Sequence, residues 1–428
     1  MGQAESQQQV EIAGSPTDAT SGTAQYKQQL SGANIPVSRE TEEEAGERSV
    51  DSAIDHSSAN TVTSVPVERS WSGMNIWRRL SSTLSWRASS LEVLKASEEK
   101  ILGAIPGLKV FDTDIGNGQH VHTVEGGMDK KSKNPVVLCH GYGMGVAGWH
   151  MVLSELSAST HIFANDWLGC GLSSRPKWEA KGVAETEAFF VESLERWREA
   201  NGLDKMILCG HSLGGYLGVA YAEKYPQRLE RLVLISPVGF PDQPENADAV
   251  LEQRPFAQRN LMKFLRWGWK RGITPGDVVR TLGPLGQRMM MSYATRRFLA
   301  DFDREALGHY LYHNMAATDG SGERALGHVL KPGAWAFSPL RYRLPKIDPS
   351  ISVHFIYGEN DWMFSTASQE LKEAADSSGT GQKISVARVP EAGHQMFLDN
   401  PQAFNVELLR VCGLDAARLV DDARPSGQ

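Results

Sequence analysis

A chain of 428 residues is long for one compact domain and short for two large ones. Hydrophobic residues make up 41% and charged residues 22%, with a formal net charge of −7, so the chain as a whole does not attract nucleic acid and an anionic partner must meet a local basic patch. The four cysteines, Cys139, Cys170, Cys209 and Cys412, lack metal-type spacing and are too few for a disulfide framework, and no run approaches the ~18 apolar residues of a membrane-spanning helix.

Residues 1–66 are rich in Gln, Ser, Thr, Glu and Ala and nearly lack aromatics. Such a segment cannot bury enough apolar surface to offset chain entropy, which predicts a disordered polar tail. Its opening, MGQAES, lacks the apolar stretch of a secretory signal but fits M-G-x-x-x-[ST], with Ser6 in the required place. Gly2 is therefore a candidate for N-myristoylation, and since one such chain binds membranes only marginally, a second signal is needed. Segment 67–105 offers one. Trp71, Trp77 and Trp86 stand among Arg69, Arg78, Arg79 and Arg87, with Met74, Trp77, Leu80, Leu84 and Leu91 at roughly helical spacing. This pattern predicts an amphipathic segment with its tryptophans in a lipid interface and its arginines facing anionic head groups. The expected location is cytoplasmic, with peripheral attachment to a membrane.

From residue 106 strand and helix signals alternate. PVVLC (135–139), 162–164, MILC (206–209), LVLIS (232–236), VHFIY (353–357) and ISVARV (384–389) are short apolar runs, which suit strands covered on both faces. Helix-like stretches such as 183–200 and 213–225 lie between them, so right-handed crossovers and a parallel sheet are expected. Residues 240–340 break the rhythm and are too long for a loop. Carrying Trp267, Trp269, Met289–Met291 and Trp335, they read as a helical cap whose apolar residues pack it on the core or line a site for an apolar substrate. The core is then 106–239 with 341–415, followed by a C-terminal tail, 416–428.

Gly210-His211-Ser212-Leu213-Gly214 is the one G-x-S-x-G of the chain. It follows the strand MILC and precedes the helix-like LGGYLGVAYAEKY, the strand–turn–helix setting of a nucleophile elbow. A serine hydroxyl needs a base, and in such a fold the order is Ser, acid, His. His394, just after ISVARV, is the candidate base. After VHFIY, Glu359 and Asp361 both offer a carboxylate; Asp361, clear of the strand end, is preferred, and Glu359 is the alternative. After VVLC, His140-Gly141-Tyr142-Gly143 lets the backbone bend, so the amides of Tyr142 and Leu213 are candidate oxyanion donors and His140 reads as a brace for the bend. The expected fold class is α/β, an α/β-hydrolase with a mostly parallel central sheet flanked by helices and an inserted helical cap. No metal, nucleotide or other cofactor is expected, because the Gly-rich stretch 141–148 lacks the Lys and Ser/Thr of a phosphate-binding loop.

HGYGMGVAGW, DWLGCGLSSRP, GHSLGGYLGVAYAEKYP, AWAFSPL, YGENDWM and GHQMFLDNP together resemble the abhydrolase-domain-containing 4/5 family over about residues 69–411, with YGENDWM most like its plant and algal branch. The resemblance implies a lipid acyl hydrolase or acyltransferase acting on lysophospholipids, phospholipids or acylglycerols, or a lipid-droplet scaffold that activates a lipase partner. It also implies that the Trp-rich segment anchors the chain to lipid droplets. His394-x-x-x-x-Asp399 matches the HxxxxD pattern of glycerolipid acyltransferases. Either Asp399 orients His394 in a second chemistry, or the spacing is coincidental and Asp399 starts the helix at Asn400-Pro401.

Overall fold

The computed structural model describes residues 89–130, 133–297, 303–317, 320–379 and 381–416. Gly2, the 1–66 tail, Trp71, Trp77 and Trp86 lie outside the described residues.

Helix α1 (Leu91–Leu102) starts at Ser90, whose hydroxyl accepts a hydrogen bond from the Val93 amide; a cap of this kind contributes about 1 kcal/mol. It buries Leu94, Ile101 and Leu102. Strands β1 (Lys109–Asp114) and β2 (His120–Gly126) follow as an antiparallel pair, in register from Lys109 opposite Glu125 to Asp114 opposite His120. Strand β3 (Val136–Cys139), helix α2 (His150–Leu156), strand β4 (Ile162–Asn165), helix α3 (Gly182–Ala200), strand β5 (Met206–His211), helix α4 (Leu213–Lys224) and strand β6 (Leu229–Ile235) then alternate.

Between β6 and the next strand the chain forms α5 (Ala247–Glu252), α6 (Phe256–Lys270), α7 (Pro275–Thr281), α8 (Pro284–Arg297), α9 (Arg304–Met315) and α10 (Leu326–Val329). Strand β7 (Ser352–Gly358), helix α11 (Ala367–Ser378), strand β8 (Ile384–Val389) and helices α12 (Met396–Asp399) and α13 (Pro401–Cys412) complete the fold. The sheet order is β1-β2-β4-β3-β5-β6-β7-β8, and every pairing from β4 to β8 is parallel.

Successive residues of a strand point to opposite faces, and the core follows that rule. Leu208, Leu232, Val353 and Phe355 pack on one face of the sheet with Trp197 and Leu217. Ile207, Cys209, Val233 and Ile356 pack on the other with Leu94, Leu153 and Leu408. Cys139 and Cys209 are fully buried, and burial pushes both thiols well above their usual range, which makes them unreactive packing residues. Among the described residues no helix is long and apolar enough to cross a membrane.

Sequence reasoning assigned the apolar residues of the cap to packing or to a substrate site; in α6 Trp269 packs against the core, but most of the helix does neither. Of its residues only Gly268 is buried, while Phe256, Leu261, Phe264 and Trp267 are 72%, 57%, 64% and 48% exposed. Helix α9, by contrast, buries Leu307, Tyr310 and Leu311 against the core.

A polar clamp ties α1 to the sheet. His122 of β2 lies 2.6 Å from Glu98 of α1 and 2.7 Å from Asp112 of β1. Burial opposes protonation of His122, but the hydrogen bond and charge of Glu98, with Asp166 and Asp112, outweigh it and raise its pKa to about 9. An unfolded histidine titrates near 6.5, so folding takes up a proton between the two values. The clamp is complete below pH 6.5 and lost as pH rises through about 9. Thermal unfolding is therefore expected to drop by several degrees between these limits. His122→Gln should be less stable at neutral pH and show a flatter dependence; a parallel pH profile in the two proteins would refute the clamp.

Candidate active site

Strands β3, β5, β6, β7 and β8 deliver the site at their C-terminal ends, on either side of the point where the strand order reverses around β3 and β5. In an open α/β sheet that crevice is where ligands bind. Ser212 links β5 to α4 with φ 54° and ψ −115°, a left-handed conformation that costs about 1–3 kcal/mol and presents the buried serine beyond the C-terminal end of β5. The Ser212 amide donates to the Ile235 carbonyl (2.9 Å), and its own carbonyl accepts from Gly215, Tyr216 and Val238. The two glycines of the motif allow the close approach: a Cβ on Gly210 would meet the Gly214 carbonyl oxygen at 2.3 Å, and one on Gly214 the Cys139 oxygen at 2.5 Å. Both obstacles are backbone. Gly214→Ala is expected to cost about 1–3 kcal/mol, read as a lowered Tm, and to reduce turnover by deforming the turn. A variant as stable and active as the parent would show that the turn has slack.

His394 follows β8, and its Nε2 lies 3.2 Å from Ser212 Oγ. Its Nδ1 lies 3.3 Å from Asp361 Oδ1, and Asp361 is 7% exposed beyond the end of β7. Burial would raise the Asp361 carboxyl, but the hydrogen bond and charge of His394, the Ser236 hydroxyl and the Met363 amide prevail and hold it below the usual carboxylate range. Glu359 points elsewhere: it is exposed, and its carboxylate accepts from the Glu391 amide (3.0 Å).

Asp399 accepts a hydrogen bond from the Gly393 amide (2.9 Å), one residue before His394, so its carboxylate ties down the loop that carries the imidazole. It does not start the helix at Pro401; Asn400 caps that helix by accepting from the Ala403 amide. Tyr142 and Leu213 line one small cavity of about 20 Å³ with Phe190, Asn314 and Met315. Among the described residues neither of their amides has a hydrogen-bond acceptor. A volume of that size holds about one water. His140 braces the bend as expected: its Nδ1 donates to the Gly141 carbonyl (2.8 Å), and Nε2 and the carbonyl accept from the amide and the indole N–H of Trp167. Burial lowers its pKa to about 4, so it is neutral near pH 7.

Two residues escaped the sequence reading. Ser236, just beyond β6, has φ 47°, is fully buried, and places Oγ 2.6 Å from His394 Nδ1, closer than Asp361. Its only sequence signal was its place at the end of the LVLIS run. His211, neutral because burial lowers its pKa to about 3, donates from Nε2 to the His394 carbonyl (2.9 Å). Nothing in a G-x-S-x-G pattern marks the second residue for that duty. Among the described residues no group of His, Cys, Asp or Glu gathers as a metal site requires.

An eight-stranded sheet of this order, with a strained serine after β5 and a histidine after the last strand, has the architecture of an α/β-hydrolase. The chain belongs to the alpha/beta hydrolase fold family, whose pattern matches residues 134–401. It is 34% identical over 332 residues to the 1-acylglycerol-3-phosphate O-acyltransferase ABHD5 of Sus scrofa, covering 76% of this chain and 90% of that protein. It is 32% identical over 358 residues to the 1-acylglycerol-3-phosphate O-acyltransferase of Arabidopsis thaliana (77% and 82% covered). It is 31% identical over 328 residues to the (Lyso)-N-acylphosphatidylethanolamine lipase of Mus musculus (76% and 92%). Among solved structures, the carboxylesterase CesB of Bacillus subtilis matches with a TM-score of 0.53 at 21% identity, covering 76% of this chain and 98% of that one, a likeness of fold.

Proposed function

We propose that the chain is a serine-dependent lipid acyl hydrolase and acyltransferase acting on lysophospholipids, phospholipids or acylglycerols. The observation that carries this reading is the chain of contacts from Ser212 Oγ to His394 Nε2 (3.2 Å) and from His394 Nδ1 to Asp361 (3.3 Å). Ser212 Oγ attacks the ester carbonyl as His394 Nε2 takes its proton, and the carbonyl π electrons move onto oxygen. The amides of Tyr142 and Leu213 donate to that oxyanion. Collapse expels the alcohol, which takes the proton from Nε2, and leaves an acyl group on Ser212. Water, or the hydroxyl of a lysophospholipid acceptor, then attacks the acyl-enzyme while Nε2 takes its proton; departure of Ser212 returns that proton to Oγ. Asp361 accepts from Nδ1–H throughout and offsets the imidazolium charge. The acyl-lipid chemistry in the names of the relatives supports the substrate class.

The exposed apolar side chains of α6 alternate with Arg259, Lys263 and Arg266, which supports peripheral association with a membrane or lipid droplet. Trp71, Trp77 and Trp86 and a myristoylated Gly2 would add to it. The same surface supports a second reading, in which the chain acts as a lipid-droplet scaffold beside a lipase partner. Fluorophosphonate labelling separates the two: the enzyme labels at Ser212, loses the label in Ser212→Ala, and changes acyl-lipid profiles when purified. An unlabelled, folded protein would leave only the scaffold.

A further inference from the structure

A second cavity, of about 720 Å³, lies between the C-terminal end of α6 and the segment around α10. Arg266, Lys270, Arg271, Arg324, His328 and Lys331 line it against a single carboxylate, Asp248. Asp248 pairs with Arg266 at 2.5 Å, and among the described residues it is the one carboxylate ion-paired to any of these arginines and lysines. Lys270 and Arg271 sit where a helix C-terminus favours cations anyway. That argument does not reach Arg324 and Lys331, which come from a different part of the chain and face the same space. Gathering this much positive charge in one concavity of a chain with net charge −7 opposes folding through mutual repulsion, unless an anion answers it.

The walls add a second character. Trp178, Trp269 and Phe337 line the cavity; Trp269 is fixed by its indole N–H donating to the Leu330 carbonyl (2.8 Å), and Trp178 packs 5.8 Å from the His328 ring. Arginine and lysine donors over aromatic surface suit an organic phosphate, whose oxygens take charged hydrogen bonds while its carbon skeleton meets the rings. The cavity shares no lining residue with the one beside Leu213. Its wall nevertheless connects to the serine turn, since the Val238 amide donates to Ser212 and the Gly239 amide to Ala334, two residues from the lining residue Pro332.

We propose that this cavity between α6 and α10 is a binding site for a phosphate ester, taken from either a phosphorylated lipid head group or a phosphate-bearing acyl carrier. The inference does not rest on the serine chemistry, so it is tested in Ser212→Ala, where no turnover occurs. Calorimetric titration of that full-length protein uses three probes: hexanoyl-glycerol 3-phosphate, coenzyme A and inorganic phosphate. Submillimolar binding of the first alone identifies the lipid head group as the source, and of the second alone the acyl carrier; binding of all three assigns recognition to the phosphate itself. In each case Lys270→Gln/Arg271→Gln/Lys331→Gln should weaken binding about tenfold or more. If the triple variant has a lowered Tm, the single Lys331→Gln, expected to lose about threefold or more, replaces it. Absence of submillimolar binding of every probe, or equal affinity in the variants, would overturn the site.

Discussion

Ser212→Ala is expected to abolish ester hydrolysis and acyl transfer together, with kcat falling by about 10⁴-fold or more. The residual rate would come from the Tyr142 and Leu213 amides and from substrate binding. The fold should hold or gain slightly, because the hydroxyl's one hydrogen bond is to His394 and the strained φ of 54° is held by the surrounding backbone. Retention of more than about a tenth of the parental kcat would rule out Ser212 as the nucleophile. Asp399 supplies the contrast. Because its carboxylate holds the Gly393 amide, Asp399→Asn should act mainly through a looser His394 loop, lowering Tm and both activities in parallel. Transfer that survives Ser212→Ala and dies in Asp399→Asn would instead establish a serine-independent chemistry built on the HxxxxD pair.

Asp361→Asn should lower kcat by about 10³–10⁴-fold with KM little changed, since an amide can hold the wrong imidazole tautomer and cannot offset the imidazolium charge. Ser236 sharpens this expectation. Its hydroxyl sits nearer to Nδ1 than the carboxylate does, and it also helps keep Asp361 ionised. Ser236→Ala should cost about tenfold in kcat, one hydrogen bond's worth, while Ser236→Thr restores part of it if the buried methyl is tolerated. A Ser236→Ala enzyme as slow as Asp361→Asn would mean that the hydroxyl, and not the carboxylate, orients His394.

Much of this architecture could be read from the chain because the relevant signals are local. MILC is buried on both faces, and ISVARV, at the sheet edge, still buries Ile384 and Val389; neither run has a competing helical period, so β5 and β8 follow directly. The elbow is legible because a strained serine between close-packed backbones demands small residues at fixed offsets. Strands β1 and β2 were not read. KVFDTD lies at the sheet edge with Lys109, Val110, Asp112 and Asp114 exposed, and HVHTVEG hides His122 and Thr123 inside the fold. Hydrophobic patterning cannot find strands whose buried positions are polar. Ser236 and His211 were missed for a related reason: each acts on His394 across more than 150 positions of sequence, and a distance in space leaves no mark in a local motif. The exposed face of α6 had the opposite problem, since an apolar stripe reads the same whether it is buried or exposed.

The position of α1 has a mechanical consequence. At its start the Ser90 amide donates to His313 of the cap helix α9 (3.0 Å); near its end Lys100 meets Asp303 at the head of that helix (2.5 Å); between them Glu98 grips β2. The helix is thus a rigid strut with two feet on the cap and one on the sheet. A pull on the chain at Ser90 would reach α9 through these contacts. Met315, the last residue of α9, stands in the wall of the one-water space beside Leu213. Tension at Ser90 and the shape of that space would then share one lever. Hydrogen exchange in Arg304–Met315 would rise in Glu98→Gln if the strut carries that load, and would not change if the cap stands independently.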